Sequence, residues 1–189
     1  QFKQHSGFCF EIIALFAYKM VHLDFVMKIA LYSLNPSIEK SEQYRLLIER
    51  IGFFGAQTIS VQNAEELSGA DLLLSIGGDG TFLRVVNMLR GSQIPVAGIN
   101  FGHLGFLTTA KVTDGDNSWI ADLVNKNYTV EKRDLLQVES LQLPTGIYPC
   151  CLNEFSIQRN KPSMLRISIA IDGTQLPSYW ADGVVVASP

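Results

Sequence analysis

The chain of 189 residues is 47% hydrophobic and 17% charged, which is the composition of an ordinary globular protein. Its length suffices for one complete core, or for one domain and part of another. The formal net charge of −3 leaves no broad basic surface, so we predict no nucleic-acid partner. Three cysteines have neither metal-ligand spacing nor a disulfide framework, which favours a cytoplasmic protein; they are Cys9, Cys150 and Cys151.

Residues 1–26 form an apolar segment that charged and polar residues interrupt. The interrupting residues are Glu11, Lys19, His22 and Asp24. The segment is therefore too polar for a membrane span, and it lacks the small-residue cleavage site of a signal peptide, so we predict no membrane partner. Because a strand pattern begins only at Met27, we interpret residues 1–26 as a non-native upstream extension, with an amphipathic helix as the alternative.

From Met27 to residue 125, strand-like and helix-like segments alternate. Apolar runs predict the strands, and helical spacing with capping residues predicts the helices between them. The predicted strands are 28–34, 56–62, 70–78 and 94–100, and the predicted helices are 36–52, 79–91 and 117–127, with a helical turn at 64–69. Such alternation is typical of a parallel sheet covered by helices, so we predict an α/β domain over residues 27–125.

Residues 126–189 contain β-rich runs in place of this alternation. Asp172-Gly173 separates two alternating runs, which is a hairpin signal. We predict an antiparallel β domain here. It is expected to be incomplete, because the runs provide only about four to six strands of the usual length.

The stretch "SIGGDGTFLR", residues 75–84, joins a predicted strand to a predicted helix. Gly77 and Gly78 lie at the carboxyl end of that strand, where open α/β sheets bind ligands. Gly80 and Thr81 open the helix, whose free N–H groups and dipole favour phosphate. These four residues are therefore predicted to form a phosphate-binding turn.

Asp79 lies within this turn, and its residue type leaves two roles open. Its carboxylate could cap the helix, or it could orient an attacking hydroxyl and accept its proton in phosphoryl transfer. The sequence contains no G-x-x-x-x-G-K-[ST] motif and no G-x-G-x-x-G after a strand. A P-loop nucleotidase and a Rossmann dehydrogenase are therefore disfavoured.

Several motifs, in the order in which they occur, resemble those of the NAD kinase family. "GGDGT", residues 77–81, is shared with diacylglycerol and sphingosine kinases and, more loosely, with phosphofructokinases. "GINFGHLGFLT", residues 98–108, and "LNEFSI", residues 152–157, narrow the resemblance to NAD kinases. With "ADGVVVASP", residues 181–189, the resemblance extends from Met27 to Pro189.

The resemblance implies transfer of a phosphoryl group from ATP, or in some members from polyphosphate, to the adenosine 2′-hydroxyl of NAD, which gives NADP. It also implies Mg²⁺, an α/β N-terminal domain, a β-sandwich C-terminal domain and a homo-oligomer (a dimer or tetramer). Asp79 would be the proton acceptor, and no residue is assigned as a metal ligand. The NAD-binding residues that the resemblance implies are Asp79, Gly80, Arg84, Asn153, Glu154 and Asp182.

Two other functions remain open at this point: a lipid kinase that uses the same turn, and a dinucleotide-binding fragment without activity. The family continues with a Thr-Gly-Ser-Thr-Ala-Tyr type segment, whereas this chain stops at Pro189. We therefore expect the 189 residues alone to bind NAD weakly and to form no NADP. His103 is assigned no catalytic role.

Overall fold

The structure is a computed structural model, and it describes residues 26–101, 105–108, 110–112, 117–140, 143 and 145–187. Residues 1–25, His103 and Pro189, on which some of the expectations above depend, lie outside these described residues.

The first part of the described chain forms a five-stranded parallel sheet, which confirms the predicted α/β architecture. The strands are β1 Lys28–Ser33, β2 Gln57–Ser60, β3 Leu72–Gly77, β4 Val96–Asn100 and β5 Ala110–Lys111. Their order is β2-β1-β3-β4-β5, and every neighbouring pair is parallel. All six residues of β3 are buried, because a central parallel strand is covered on both faces.

Helices cover both faces of this sheet. They are α1 Pro36–Glu39, α2 Glu42–Phe53, α3 Asp79–Leu89 and α4 Ser118–Val124, with a 3₁₀ turn at Glu65–Leu67. On one face, Leu47 of α2 and Ile120 of α4 join a core that includes Leu74 of β3. On the other face, Val85 of α3 packs in a second core with Leu73. Alternate side chains of β3 thus enter two different cores.

The helix predicted over residues 36–52 is interrupted in the structure, so that prediction is wrong in its detail. The chain leaves the helix after α1 and re-enters it through Ser41, whose backbone is extended (φ −75°, ψ 153°) and whose Oγ accepts a hydrogen bond from the Tyr44 N–H at 3.2 Å. The second helix runs to Phe53, and the chain reverses at Gly55 with φ +91° rather than at Gly52. A capping serine within an otherwise helical pattern therefore marked a new helix start.

The last part of the described chain consists of antiparallel strand pairs, as predicted. The strands are β6 Leu136–Gln137, β7 Cys150–Cys151, β8 Glu154–Gln158, β9 Leu165–Ile167, β10 Ala170–Ile171, β11 Thr174–Gln175, β12 Tyr179–Ala181 and β13 Gly183–Ala187. They pair as β6·β7, β8·β13, β9·β12 and β10·β11. The predicted hairpin is confirmed, because Asp172 (φ 49°) and Gly173 (φ 79°) connect β10 to β11. The domain boundary between residues 125 and 126 stays a prediction.

The strand order of the parallel sheet determines where a ligand can bind. From β1 the chain first adds β2 on one side, and it then returns to add β3 on the other side. The connections after β1 and β3 therefore leave the sheet in opposite directions, which opens a crevice at the carboxyl ends of these strands. The glycine turn that follows β3 lies at this crevice.

Candidate functional site

The two glycines that end β3 are there for different physical reasons. Gly77 has φ +152°, and a Cβ at this position would collide with the Thr81 side chain. Glycine is therefore required by the fold itself. A Cβ on Gly78 or on Gly80 would meet no atom within 4 Å, and neither residue has positive φ. These two glycines leave open space in front of the amino terminus of α3.

Asp79 does not cap α3, so the capping interpretation is wrong. The N-cap residue is Gly78, and no side chain accepts a hydrogen bond at this cap. Asp79 is the first helical residue, and its carboxylate instead faces the segment that follows β4. The first N–H groups of a helix lack intrahelical partners, so the amino terminus of α3 retains donors for an anion.

The carboxylate of Asp79 is held by the backbone of residues 106–108. Its Oδ2 accepts from the Phe106 N–H at 2.8 Å, and its Oδ1 accepts from the Leu107 N–H at 3.0 Å and from the Thr108 hydroxyl at 3.5 Å. The hydrogen bond from Phe106, followed by that from Leu107, holds the pKa of Asp79 below its ordinary value. The carboxylate is therefore ionised and fixed in orientation at neutral pH.

Two further glycines allow the segment 105–108 to approach so closely. A Cβ on Gly105 would collide with the Asp79 carboxylate, and a Cβ on Gly98 of β4 would lie 2.9 Å from the Leu107 carbonyl oxygen. Thr108 is fully buried beside Gly98. The sequence analysis used residues 98–108 only for the family resemblance and did not predict that they anchor Asp79. The recurring glycines in this segment could have indicated such a close approach of the backbone.

A pocket of about 560 Å³ adjoins the glycine turn. Its walls come from the end of β1, the connection after β2, one face of α3, and a segment that precedes β7. The lining residues are Tyr32, Gln62, Asn63, Ala64, Glu65, Gly80, Leu83, Arg84, Asn87, Met88, Arg90, Gly146, Ile147 and Tyr148. Two of the predicted site residues, Gly80 and Arg84, therefore share one pocket. Sequence reasoning did not find Glu65, Arg90 or Tyr148, because no motif marks them.

Arg90 joins α3 to the second part of the chain. It ends the helix in the left-handed conformation (φ 48°), and its Nη2 donates to the Gly146 carbonyl oxygen at 3.2 Å. Next to it, a Cβ on Gly91 would lie 3.3 Å from the Tyr148 hydroxyl oxygen. A hydrogen bond with Cys150 raises the pKa of Tyr148. The segment 146–148 is thereby held against the far end of α3.

Asn153 lies in the tight turn between β7 and β8, and Glu154 is the first residue of β8. Asn153 has φ 69°, a conformation that asparagine tolerates better than most residues, and the Glu154 N–H donates to the Leu152 carbonyl oxygen at 2.9 Å. Strand β7 packs against α3, so the turn begins next to a strand that contacts the helix of Asp79. Neither side chain lines the 560 Å³ pocket.

Asp182 lies away from the Asn153–Glu154 turn. Its Oδ1 accepts from the Nε of Arg159 at 3.1 Å, and its side chain is 73% exposed. In the β8·β13 ladder Glu154 pairs with Ala187, whereas Gly183, next to Asp182, pairs with Gln158. Asp182 is thus opposite Arg159, five residues beyond Glu154, so the backbones of Asp182 and Glu154 lie at opposite ends of the ladder, roughly 17 Å apart along the strands. The structure does not bring them together on one small group.

The described residues contain no group of three or more His, Cys, Asp or Glu side chains that could hold a metal ion. In the same part of the chain, no helix has both the length and the apolar character needed to cross a bilayer.

Comparisons with known proteins indicate what the chain resembles. Residues 9–128 match the family model of the ATP-NAD kinase N-terminal domain. An NAD kinase of Cytophaga hutchinsonii is 38% identical over 128 residues, which are 67% of this chain and 44% of that protein. An NAD kinase of Bacteroides fragilis is 40% identical over 121 residues, which are 64% of this chain and 41% of that protein. The chain thus matches less than half the length of these relatives.

Solved structures of low identity share the fold. An NAD kinase from Archaeoglobus fulgidus in complex with ATP has a TM-score of 0.62 at 24% identity, over 86% of this chain and 60% of that one. A yeast NADH kinase complexed with NADH has a TM-score of 0.65 at 19% identity, over 86% of this chain and 57% of that one.

Proposed function

Because the chain belongs to the ATP-NAD kinase family, we propose that the full product of its gene transfers the terminal phosphoryl group of ATP to the adenosine 2′-hydroxyl of NAD, giving NADP. The NAD kinases of Cytophaga hutchinsonii and Bacteroides fragilis support this activity, and so does the bound ATP of the Archaeoglobus fulgidus enzyme. The donor identity and the acceptor position are parts of the proposal.

The observation that carries the proposal is the fixed carboxylate of Asp79. Phe106 donates to Oδ2, whereas Leu107 and the Thr108 hydroxyl donate to Oδ1. Because a carboxylate oxygen can accept more than one hydrogen bond, Oδ2 can also accept from a substrate hydroxyl. In phosphoryl transfer a carboxylate that orients the attacking hydroxyl can accept its proton late, so position matters more than basicity. The low pKa of Asp79 is compatible with this role.

The surroundings of Asp79 supply the electrostatic part of the reaction. Gly78 and Gly80 leave space for a phosphate group at the amino terminus of α3, where the helix dipole is positive. Arg84 lines the adjoining pocket one turn further along the helix. A cation and aligned N–H groups would thus stabilise the charge that is transferred.

Asn153 and Glu154 are proposed to hold the nucleoside of the dinucleotide. An asparagine can pair with the N6 and N7 edge of adenine, and a carboxylate can accept from both hydroxyls of a ribose. Their exposure in the turn beside β7 supports this assignment. Asp182 is proposed as a more distant dinucleotide contact, released from Arg159 when substrate binds.

Mg²⁺ is proposed to arrive with the phosphates of ATP. Magnesium in kinases is commonly bound by one or two carboxylates together with substrate phosphates and water, rather than by a cage of side chains. That form of binding suits a site in which Asp79 supplies a carboxylate beside the glycine turn. We further propose a homo-oligomer in the cytoplasm, where the free thiols of Cys150 and Cys151 would stay reduced.

Asp79→Asn and Gly105→Ala together test the role of Asp79. Asparagine removes the proton acceptor and one of the two oxygens that anchor residues 106–108, whereas the alanine at position 105 disturbs only the anchor. We expect Asp79→Asn to lower kcat by about 10²–10⁴-fold, and Gly105→Ala to lower it far less. The measurement is a coupled NADP assay with ATP and Mg²⁺ on the full gene product.

Equal losses of kcat in both variants would show that Asp79 only anchors residues 106–108 and does not accept the proton. Absence of NADP formation by the unaltered full product would reject the proposed activity.

A further inference from the structure

The pocket extends well beyond the glycine turn and forms a groove along α3. The lining residues of this helix run from Gly80 through Arg84 and Asn87 to Arg90. They recur at helical spacing, so they form one stripe about 15 Å long. The connection after β2 forms a second wall, and residues 146–148 form a third.

The second wall of the groove is a built feature, fixed by Glu66. Its Oε2 accepts from the Gln62 N–H at 2.6 Å, and its Oε1 accepts from the Asn63 side-chain amide at 2.8 Å. The Glu66 N–H in turn donates to the Asn63 Oδ1 at 3.1 Å. This network holds the connection in one conformation, with the neighbouring Glu65 on the lining of the groove.

Glu65 differs from Glu66 in having no internal partner. Among the described residues the Glu65 side chain makes no hydrogen bond and no ion pair, and the same is true of the Arg84 side chain on α3. The groove therefore presents an unpaired carboxylate on one wall and an unpaired guanidinium on the other. A ligand that satisfies both must carry an anionic group and, elsewhere, neutral hydrogen-bond donors.

The order of these groups along the groove restricts the ligand further. Phosphate suits the end with Gly80 and Arg84, where the helix amino terminus is positive. A carboxylate repels phosphate, so Glu65 requires uncharged donors. The vicinal hydroxyls of a ribose are such donors, and Glu65 follows β2 at the carboxyl ends of the parallel strands, where open α/β sheets bind ligands.

We propose that the groove along α3 is a ribonucleotide subsite in which Glu65 accepts hydrogen bonds from the ribose hydroxyls while Arg84 contacts the phosphates. The inference rests on the proposed function, which supplies two ribonucleotides, ATP and NAD. It adds a specificity residue that lies outside the Asn153–Glu154 turn. Glu65 distinguishes ribonucleotides from deoxyribonucleotides and takes no part in proton transfer.

Glu65→Gln, probed with ATP, 2′-deoxy-ATP, 3′-deoxy-ATP and NAD, tests this inference. Calorimetric titration on the full gene product with Mg²⁺ measures binding without turnover, so it can fail or succeed independently of the NADP assay. If ATP occupies the groove, we expect the variant to bind ATP about tenfold to a hundredfold more weakly, because charged hydrogen bonds are lost. For the deoxy analogue that lacks the hydroxyl bound to Glu65, the substitution should lower the affinity much less. If NAD is the occupant, the weakening appears with NAD and not with ATP.

Two matched variants separate recognition from structure. Glu66→Gln should loosen the connection after β2 and weaken ribonucleotides and deoxyribonucleotides alike. Glu49→Gln, on the exposed side of α2 beside Arg45, should change nothing. The inference is overturned if Glu65→Gln lowers the affinities for ATP and for both deoxy analogues equally. It is likewise overturned if the variant lowers the affinities for ATP and NAD by the same factor, or lowers neither. It is also overturned if the unaltered protein binds neither nucleotide.

Discussion

Asp79 shows how much the role of one carboxylate depends on residues far away in the chain. From its neighbours alone it could be a helix cap or a proton acceptor. The structure removes the first role and adds a different one, because Asp79 anchors the backbone of Phe106 and Leu107. Its two oxygens are thereby oriented before any substrate binds, which suits a group whose contribution is positional.

The anchor makes stability depend on pH in a defined direction. Hydrogen bonds from Phe106 and Leu107 hold the pKa of Asp79 below its ordinary value in the folded protein. A lowered folded pKa contributes stability above the unfolded value of about 3.9, and that contribution is lost as pH falls through the folded pKa. Asp79→Asn should therefore reduce the free energy of unfolding at pH 6–7, and the difference from the unaltered protein should shrink below about pH 4.

Denaturant unfolding of both proteins over a pH series measures this difference. A difference that stays constant from neutral pH to pH 3 would show that the carboxylate charge makes no contribution through the anchor.

At the scale of the element, α3 contains one residue of low helix propensity, Gly80, in its first turn. Gly80 occupies a helical position without positive φ, and a Cβ there would meet nothing within 4 Å. Gly52 of α2 shares these properties but lies far from the groove in the other helical layer. Glycine costs helix stability at both positions, and only at Gly80 does the open space face a proposed ligand.

Gly80→Ala and Gly52→Ala should therefore have the same effect on folding and different effects on binding. Each is expected to raise the free energy of unfolding by about 0.4–1 kcal/mol. Only Gly80→Ala should weaken ATP or NAD, because its methyl group enters the space in front of the helix. Thermal unfolding and calorimetric titration measure the two effects. Unchanged nucleotide binding in Gly80→Ala would contradict a phosphate at this turn.

At the scale of the whole molecule, burial is uneven between the two parts of the chain. Leu73 and Leu74 of β3 are completely buried, whereas Ile157 of β8 and Val185 of β13 are more than half exposed. Parallel strands gain two covered faces from the helices, whereas neither buried core includes a residue of the pairs β8·β13, β9·β12 and β10·β11.

Amide hydrogen exchange should follow this difference. Because exchange requires local opening, amides in β1 and β3 should be the slowest, and those in the short pairs β9·β12 and β10·β11 the fastest. Exchange measured by NMR or mass spectrometry on the 189-residue chain checks the expectation. Equal protection of both groups would indicate that the antiparallel pairs are covered in solution.

The amino-acid sequence by itself determined the elements of the fold and the identity of the turn. Apolar runs specify β1, β3 and β4, and the pair Asp172-Gly173 specifies a hairpin, because strand burial and turn conformation depend on neighbouring residues. The same local chemistry revealed the glycine turn after β3. The prediction of one continuous helix was wrong at Ser41, because the Ser41 side chain accepts a capping hydrogen bond there and a new helix begins.

Only the tertiary structure decided how these elements form a site. The partners of Asp79 lie 27 or more residues further along the chain, and Arg90 reaches Gly146 across 56 residues. Glu65 lines the groove because β2 lies beside β1, an order that the predicted alternation of strands and helices left open. Contacts of this kind depend on how strands are ordered and loops are closed, and no local pattern of residues records either.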